Sequence, residues 1–327
     1  MRSNLMWAAA AVALSLAANP ARAETFAVKL TPQFAAMFKG HAKVAIPSYH
    51  VNYVTSQQAT AVAGIGARTR LAMVLAGVDE ATMRKLADEA YADLRAQFEA
   101  AGVPVISEAE TQAMVTQAGM ERLPGNMEKG GGGPGITIGK SLKRGYVTYG
   151  ASGAPALAAY RTMSSPLGVT GFGALGGGKL AAPAYALDAN LVMPSLLIDF
   201  ANMSADTGSD FLGRAKASTS GGAAFIIRMG STVSTLNPAN KGMGATPGGM
   251  RPDKDLISPT RFARVEEGGA AVRVGSMTAI ADDNYQMVAR ARGDAVVVDL
   301  PVWEGLVRDA YRGYNAAIVA AVVKVVK

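Results

Sequence analysis

Between residues 83 and 98 apolar side chains return every third or fourth position: Met83, Leu86, Ala87, Ala90, Tyr91, Leu94 and Phe98. That spacing sets all seven on one face and predicts an amphipathic helix. Asp79 can cap its start, Gly102 suits its C-terminal cap, and Pro104 prevents continuation. Ser107 and Glu110 form an S-x-x-E capping box, predicting a second helix that ends near Gly119. Upstream, the period changes to two. Tyr49, Val51 and Tyr53 alternate with Ser48, His50 and Asn52, so residues 44–54 read as a strand with one apolar and one polar face. A small-residue stretch through Gly64 and Gly66 comes next, then a second strand from Arg70 to Ala76 and a short third at Val103–Ile106. Strand, strand, helix, strand, helix is a unit in which a helix covers one face of a small sheet.

The pattern dissolves at Pro124. From there to Pro183 glycine, alanine and serine dominate. Gly125–Gly135 reads as a flexible loop, residues 136–149 and 166–180 as extended hairpin arms, and Ala154–Met163 as a short helix. Strand signals return with Leu191–Phe200, where Pro194 argues for an edge or a bulge. Phe211–Thr219 and Ala223–Val233 flank Ser220-Gly221-Gly222, which reads as a hairpin turn. Pro238–Pro259 reads as a long loop. Ala270–Ala281 and Tyr285–Arg292 form a hairpin across Asp282-Asp283-Asn284, and Val296–Leu300 is a final strand. Pro301 suits a first helical position, and Trp303, Leu306, Ala310, Tyr314, Ala317, Ile318 and Ala321 continue a C-terminal helix. The expected fold class is α+β: a mixed, mainly antiparallel sheet packed by amphipathic helices, with a glycine-rich insertion. Residues 24–123 form the N-terminal α/β unit, 124–185 the insertion, and 186–327 the hairpins and helix that complete the same domain.

Residues 1–23 stand apart. Arg2 precedes an almost wholly apolar stretch from Leu5 to Ala18, Asn19 and Pro20 break it, and Ala21-Arg22-Ala23 is an A-x-A cleavage site. This is the pattern of a secretory signal peptide, too short to span a bilayer. Cleavage near Ala23 leaves 304 of the 327 residues and removes Arg2 and Arg22, lowering the formal charge from +7 to +5. The expected location is the periplasm of a Gram-negative bacterium, the outer membrane's surface, or the medium. No cysteine occurs, which removes disulfides, thiolate metal sites, cysteine nucleophiles and a lipidated N-terminal cysteine, while 304 residues can bury a core without cross-links. Lys140, Lys143 and Arg144 are the one compact basic cluster, and aromatic residues are 6% of the chain, a poor platform for stacking nucleic-acid bases.

Several motifs fail on their chemistry. The stretch GGGGPGITIGKSL, residues 130–142, ends like a phosphate-binding loop, but Pro134 stands where G-x-x-x-x-G-K-[ST] needs a glycine with an N–H. The next segment, Arg144–Tyr149, is strand-like rather than helical. In GFGALGGGKL, residues 171–180, Leu180 takes the position of the magnesium-binding hydroxyl, and Pro183 is expected to interrupt the required helix. No nucleotide cofactor is expected. Asp206-Thr207-Gly208-Ser209 is the D-T-G-S signature of aspartic proteases, which need a second carboxylate. No second D-[ST]-G exists, so the segment reads as a polar turn, and Asp206 is the candidate carboxylate of the alternative reading, a periplasmic hydrolase. His41 and His50 are the only imidazoles and lie in no metal-binding spacing; His50 reads as part of a polar strand face. Gly150-Ala151-Ser152-Gly153-Ala154 is not G-x-S-x-G. Met120, Met127, Met243 and Met250 are too scattered for a thioether copper site and read as filler. No catalytic, cofactor-binding or metal-binding residue is assigned.

The order of elements over residues 43–118 resembles the periplasmic α/β domain of the curli secretion-channel (CsgG-like) family. VAIPSYHVNYV, MRKLADEAYADLRAQFEAAG, VPVIS and EAETQAM carry the resemblance. It implies an insertion after the first α/β unit that supplies membrane hairpins, and later strands, such as LVMPSLLIDF, that complete the sheet. The chain departs from that pattern in having no lipid-anchoring cysteine and no clean outward-facing apolar band in its insertion, which argues against a pore. The expected function is that of an exported non-enzymatic envelope protein, a binding or assembly component. Its expected partners are envelope proteins or further copies of itself, with peripheral membrane contact and without nucleotide or nucleic acid.

Overall fold

A computed structural model describes residues 26–32, 41–64, 67–120, 122, 139–157, 177–209, 214–238, 245–267 and 293–326. The expected leader at 1–23, the expected Gly125–Gly135 loop and the expected hairpin of Ala270–Ala281 and Tyr285–Arg292 lie outside them. The described elements, in chain order, are β1 (Leu30–Pro32), β2 (Lys43–Ala45), β3 (His50–Gly64), β4 (Ala67–Ala76), α1 (Glu80–Ala100), α2 (Glu108–Gln117), β5 (Gly139–Gly150) and α3 (Gly177–Ala186). After these come β6 (Ala189–Ser209), β7 (Ala215–Ile227), β8 (Thr232–Pro238), β9 (Ala245–Pro252), β10 (Leu256–Ile257), β11 (Ala263–Glu266), β12 (Asp294–Val298) and α4 (Leu300–Val326). The class is α+β, four helices on a large mixed sheet among the described residues. The main strand path is β1-β9-β8-β6-β3-β4-β12-β11, with β2 and β7 joining β6, β5 joining β3, and β10 joining β7.

The helices form where the periodicity places them. α1 buries Met83, Leu86, Ala87, Ala90, Tyr91, Leu94 and Phe98. The Asp79 carboxylate accepts from Thr82 N at 2.7 Å, and Gly102 closes the turn after the helix at φ +73°, a conformation costly for any residue with a Cβ. The Ser107–Glu110 capping box is present at the start of α2. α1 and α4 pack on one face of the sheet around Trp303, Tyr314, Phe98, Tyr53 and Tyr149. Asn315 joins the layers, donating to Ala90 O and Asp93 Oδ2 at 2.8 Å each and accepting from Tyr49 OH at 3.0 Å. The second face carries a smaller apolar cluster, in which Met114 and Val115 of α2 and Leu180 and Ala184 of α3 meet Leu191 and Met193 of β6.

β6 organises the sheet. On one edge it pairs antiparallel first with β8, Leu191 opposite Leu236, and then with β7, Ile198 opposite Ile227. On the other edge it pairs parallel with β2 and then with β3, His50 opposite Ser195. Beyond Tyr53 the strands separate. β3 exchanges β6 for β4, with Ser56 opposite Val74, while β5 stays on its far edge from His50 to Val62. β6 continues with β7 alone as far as Ser209. Two arms therefore leave the core, a three-stranded β5-β3-β4 arm and a two-stranded β6-β7 arm. They pack face to face: Thr69 Oγ1 lies 3.2 Å from Thr219 Oγ1.

Several expectations change. Ser220-Gly221-Gly222 is no turn; β7 runs through it, paired with β6 from Ala223 to Ala215. A Cβ at Gly221 would stand 3.0 Å from Met203 Cγ and 3.1 Å from Leu71 Cδ2, so this glycine answers the close approach of the two arms. The 136–149 arm exists as β5, but it pairs with β3 rather than with 166–180. The last residues of that second segment begin α3, because Leu180 and Ala184, one turn apart, bury against the second cluster. α3 also runs through Pro183, which was expected to stop it; tertiary packing outweighs the lost N–H. Residues 154–157 form isolated bridges rather than a helix, Ala154 to Ala151 and Leu157 to Arg122, and residues 158–163 lie outside the described residues. Val103–Ile106 contributes a single bridge, Val105 to Val44. Part of the Pro238–Pro259 loop is β9 and β10. Pro194 sits inside β6 rather than at an edge, at a level between the Ala45–Leu191 and His50–Ser195 pairings, where the parallel ladder is interrupted.

Candidate functional site

The point where the arms part is marked by charge. Asp199 lies on β6 with its side chain fully buried. Arg228 Nε donates to Asp199 Oδ2 at 2.7 Å, and Arg144 Nε, from β5, to the same oxygen at 3.2 Å. Gln57 Nε2, from β3, donates to Asp199 Oδ1, and the backbone N–H of Phe200 does so at 2.8 Å. Arg228 also reaches Asp255 Oδ2 at 2.8 Å through Nη1 and Ala201 O at 2.9 Å through Nη2. Asp255 in turn accepts from Met229 N at 2.6 Å. Two cations and two carboxylates thus balance in one group.

Local irregularity positions these side chains. β6 shifts register between Asp199 and Ala201 against β7, and β3 shifts between Val54 and Ser56 against β5. Bulges bend strands and increase their twist. Both fall where β3 and β6 diverge, and the charge group fills the gap. Gln57 and Arg144 are direct cross-strand partners, so both reach across to Asp199 from one face.

Electrostatics reflect the crowding. Burial pulls the Arg144 guanidinium below its usual value, helped by the Arg228 charge and opposed by Asp199 and Asp255. For Arg228 burial also pulls downward, but Asp199 and Asp255 together outweigh it and leave its affinity for the proton raised. Both Asp199 oxygens are occupied by donors, so the group is built to tie strands together rather than to exchange a proton. Paired buried charges contribute little net stability, yet removing one partner is costly.

A second polar feature runs along the sheet face away from α1 and α4. His50, Asn52, Thr148 and Ser195 are all buried there. Asn52 Nδ2 donates to Ser195 Oγ at 3.1 Å and Leu196 O at 3.0 Å, while Thr148 Oγ1 donates to Asn52 Oδ1 at 2.7 Å. Among the described residues Ser48 Oγ and His50 Nδ1 have no hydrogen-bond partner. Burial lowers the His50 imidazole to about 4, so it is neutral near pH 7. The polar face of this strand is thus interior.

The residues singled out in the sequence go to separate places. Asp206 is exposed near the end of β6, opposite Ser218, and its carboxylate accepts from Thr207 N at 3.0 Å; the expected turn is a strand. His41 lies 2.6 Å from Asp188 Oδ1 and 3.2 Å from Pro238 O, apart from the His50 group. Gly139-Lys140-Ser141 opens β5, its backbone paired with Val62, Ala61 and Thr60. Leu180 of the second glycine motif is buried. Ser152 is held by Asp88, whose carboxylate accepts from Ser152 N at 2.6 Å. Met250 is core, and Met127 and Met243 lie outside the described residues. Among the described residues no three His, Cys, Asp or Glu side chains converge as a metal site, and no helix is long and apolar enough to cross a membrane.

Sequence reasoning missed the Asp199 group, although it left a signal. Asp199 is the sole charge in LVMPSLLIDF and Arg228 the sole charge in AAFIIRMG. A lone charge in a buried apolar strand demands a partner.

No family model, no curated protein and no solved structure matches this chain.

Proposed function

We propose that this chain is an exported, non-enzymatic component of the bacterial cell envelope, a binding or assembly protein that presents its strand arms to partners, further copies of itself included. The observation that carries the reading is the pair of arms. Their strands run past the helix-packed core, expose polar faces, and are tied at the base by a charge group whose carboxylate is saturated with donors. A molecule that builds long strands beyond its core gains surface rather than an enclosed cleft. The leader-like residues 1–23 and the resemblance of residues 43–118 to the curli secretion-channel family agree with it. Sheet ends add adhesive potential: β1 and β11 each pair with one strand among the described residues, and unpaired edges template association.

Fractionation of the envelope combined with crosslinking in intact cells tests the reading. The expected result is a processed protein in the periplasmic or outer-membrane fraction, crosslinked to envelope proteins or to itself. An unprocessed cytosolic protein, or a strict monomer by light scattering with no crosslinked neighbour, would sink it.

A further inference from the structure

One apolar groove of the molecule is filled by the chain's own residues 26–32. Phe26, Val28 and Leu30 turn into the main core while Ala27, Lys29 and Thr31 are exposed, the alternation of a strand laid over a groove. Phe26 is the anchor. It is 6% exposed, and its ring centroid lies 5.8 Å from that of Phe225, which meets Phe262 edge-on at 6.0 Å. Its backbone passes against α4 at Gly313, where any Cβ would collide with Phe26 O. Glycine weakens a helix interior, and the close approach of this strap is what requires one here. Main-chain pairing completes the seat. Leu30, Thr31 and Pro32 lie opposite Pro252, Arg251 and Met250 of β9, and Asp253 N donates to Lys29 O at 3.4 Å. A segment that adds a strand to a sheet edge and sinks alternate side chains into pockets has the geometry of peptide recognition by strand addition.

Strap and seat are fastened very differently. β9 is held to β8 from Val233 opposite Met250 to Pro238 opposite Ala245. Ser258 N donates to Phe225 O at 2.9 Å, and Asp299 N to Phe262 O at 2.7 Å. None of these bonds involves residues 26–32. The strap holds on through a three-residue strand at one end of the described sheet and through one fully seated side chain. Such an edge segment opens at far lower cost than the core does. Opened, it uncovers the Phe225 and Phe262 rings and an unpaired edge of β9, which together call for another apolar strand. The segment complementary to that groove is carried by every other copy of the chain. Exchange between copies preserves each of these contacts, so its cost is the association of two molecules alone.

We propose that residues 26–32 are an exchangeable strap, and that the groove they fill between β9 and α4 is a docking site for the same segment of a second copy. This deepens the envelope-component reading by naming a partner; the partner's role, though not the exchange itself, rests on that reading.

The chain has no cysteine, so single introduced cysteines report alone. Thr31 and Arg251 are exposed and lie opposite one another, and Cα atoms of antiparallel neighbours stand about 4.5–5.5 Å apart, within reach of a disulfide. The protein is purified from cells as Thr31→Cys and as Arg251→Cys. The two are mixed, warmed below the unfolding transition and treated with oxidised glutathione. The expected product is a mixed disulfide dimer, at least about fivefold more abundant than from Thr31→Cys mixed with Gln117→Cys, whose exposed cysteine lies on α2 across the sheet. Phe26→Ala separates docking from collision. In the Thr31→Cys copy it weakens the incoming strap and should lower the mixed yield about tenfold or more. In the Arg251→Cys copy it loosens the resident strap and should raise the yield about threefold or more. Thermal unfolding checks each variant, and Lys29→Cys with Asp253→Cys, the next position along the ladder, replaces a pair that fails to fold. A mixed yield no higher than the α2 control, or one that Phe26→Ala leaves unchanged in both copies, overturns the proposal. So does failure of Thr31→Cys and Arg251→Cys combined in one chain to close internally at high dilution, because the strap is then not seated on β9. Photocrosslinking from position 251 in intact cells that captures a different envelope protein and no second copy assigns the groove to a foreign strand; exchange then falls and the envelope reading stands. A chain that exchanges straps when purified yet fractionates with the cytosol keeps the strap and loses the envelope reading.

Discussion

The two ends of the long strands are held by different physics. At the core end, β3, β5 and β6 present Val51, Tyr53, Val147, Tyr149, Leu196 and Ile198 to α1 and α4, and Trp303 packs its ring 5.7 Å from that of Tyr53. Burying side chains of that size contributes about 1.5–3 kcal/mol each. At the arm end the facing residues are Ala59, Ala61, Ala205, Thr219 and Gly221, with Leu71, Met73 and Met203 the large exceptions. Alanine and glycine bury few methylene groups, so ladder hydrogen bonds carry more of the arms' cohesion, and the ionic group at the base fixes where the strands meet. The same strands therefore serve as a rigid scaffold at one end and as thin, close-stacked layers at the other.

The sharpest way to break this contrast is at the core. Trp303→Ala should cost about 3–5 kcal/mol in urea unfolding, lowering the whole transition. A cost under about 1 kcal/mol would mean the helix-covered face does not carry the stability. Asp199→Ala should cost about 3 kcal/mol, because Arg228 and Arg144 are left without their shared carboxylate. Here the loss should be localised: hydrogen exchange should speed in the arm strands before it does in α1. Uniform acceleration would mean that the charge group is part of the core rather than the arms' fastening.

Acid should discriminate in the opposite direction. His50 holds its proton less tightly folded, at about 4, than in an unfolded chain near 6.5. The neutral form is favoured by the fold, so this contribution is intact above about pH 6.5 and is lost as pH falls towards and through 4. The total is about 3 kcal/mol. His50→Gln should flatten the stability profile between those values; an unchanged slope would place the acid sensitivity elsewhere. The smallest effect is expected at the arm interface. Gly221→Val forces a side chain against Met203, Leu71 and Met73 and should cost about 1–3 kcal/mol, with exchange faster in β7 than in α4. Tolerance of valine would show that the layers can move apart freely.

Much of the helical structure is legible in residue order alone. The seven apolar positions of α1 are the seven that its packing buries, and Asp79, Ser107, Glu110 and Gly102 mark ends that the molecule uses. Caps and helical periodicity act over three or four residues, so local sequence contains them in full. The alternation of His50 and Asn52 with Val51 and Tyr53 is equally local and lies in β3, but the expected 44–54 strand is broken into β2 and β3, with Ser48 and Tyr49 in the break. Of the candidate site, the lone Asp199 and the lone Arg228 were visible as anomalies, each without its partner.

Pairing was not visible. Ser220-Gly221-Gly222 has the composition of a turn and becomes mid-strand because β6 supplies a full ladder, with Leu71, Met73 and Met203 standing 3.0–3.2 Å from where a Cβ at Gly221 would lie. Pro183 should end a helix and does not, because Leu180 and Ala184 find a core to enter. His50 looks like a solvated strand face and is interior. Asp199, Arg228, Arg144 and Gln57 come from four segments and meet where two bulges part the sheet. Neighbours along the chain dictate a residue's conformational preference and its place on a helix or strand face. Which remote strand lies across from it depends on how all the apolar faces are covered at once, and that sum exists only in the folded molecule.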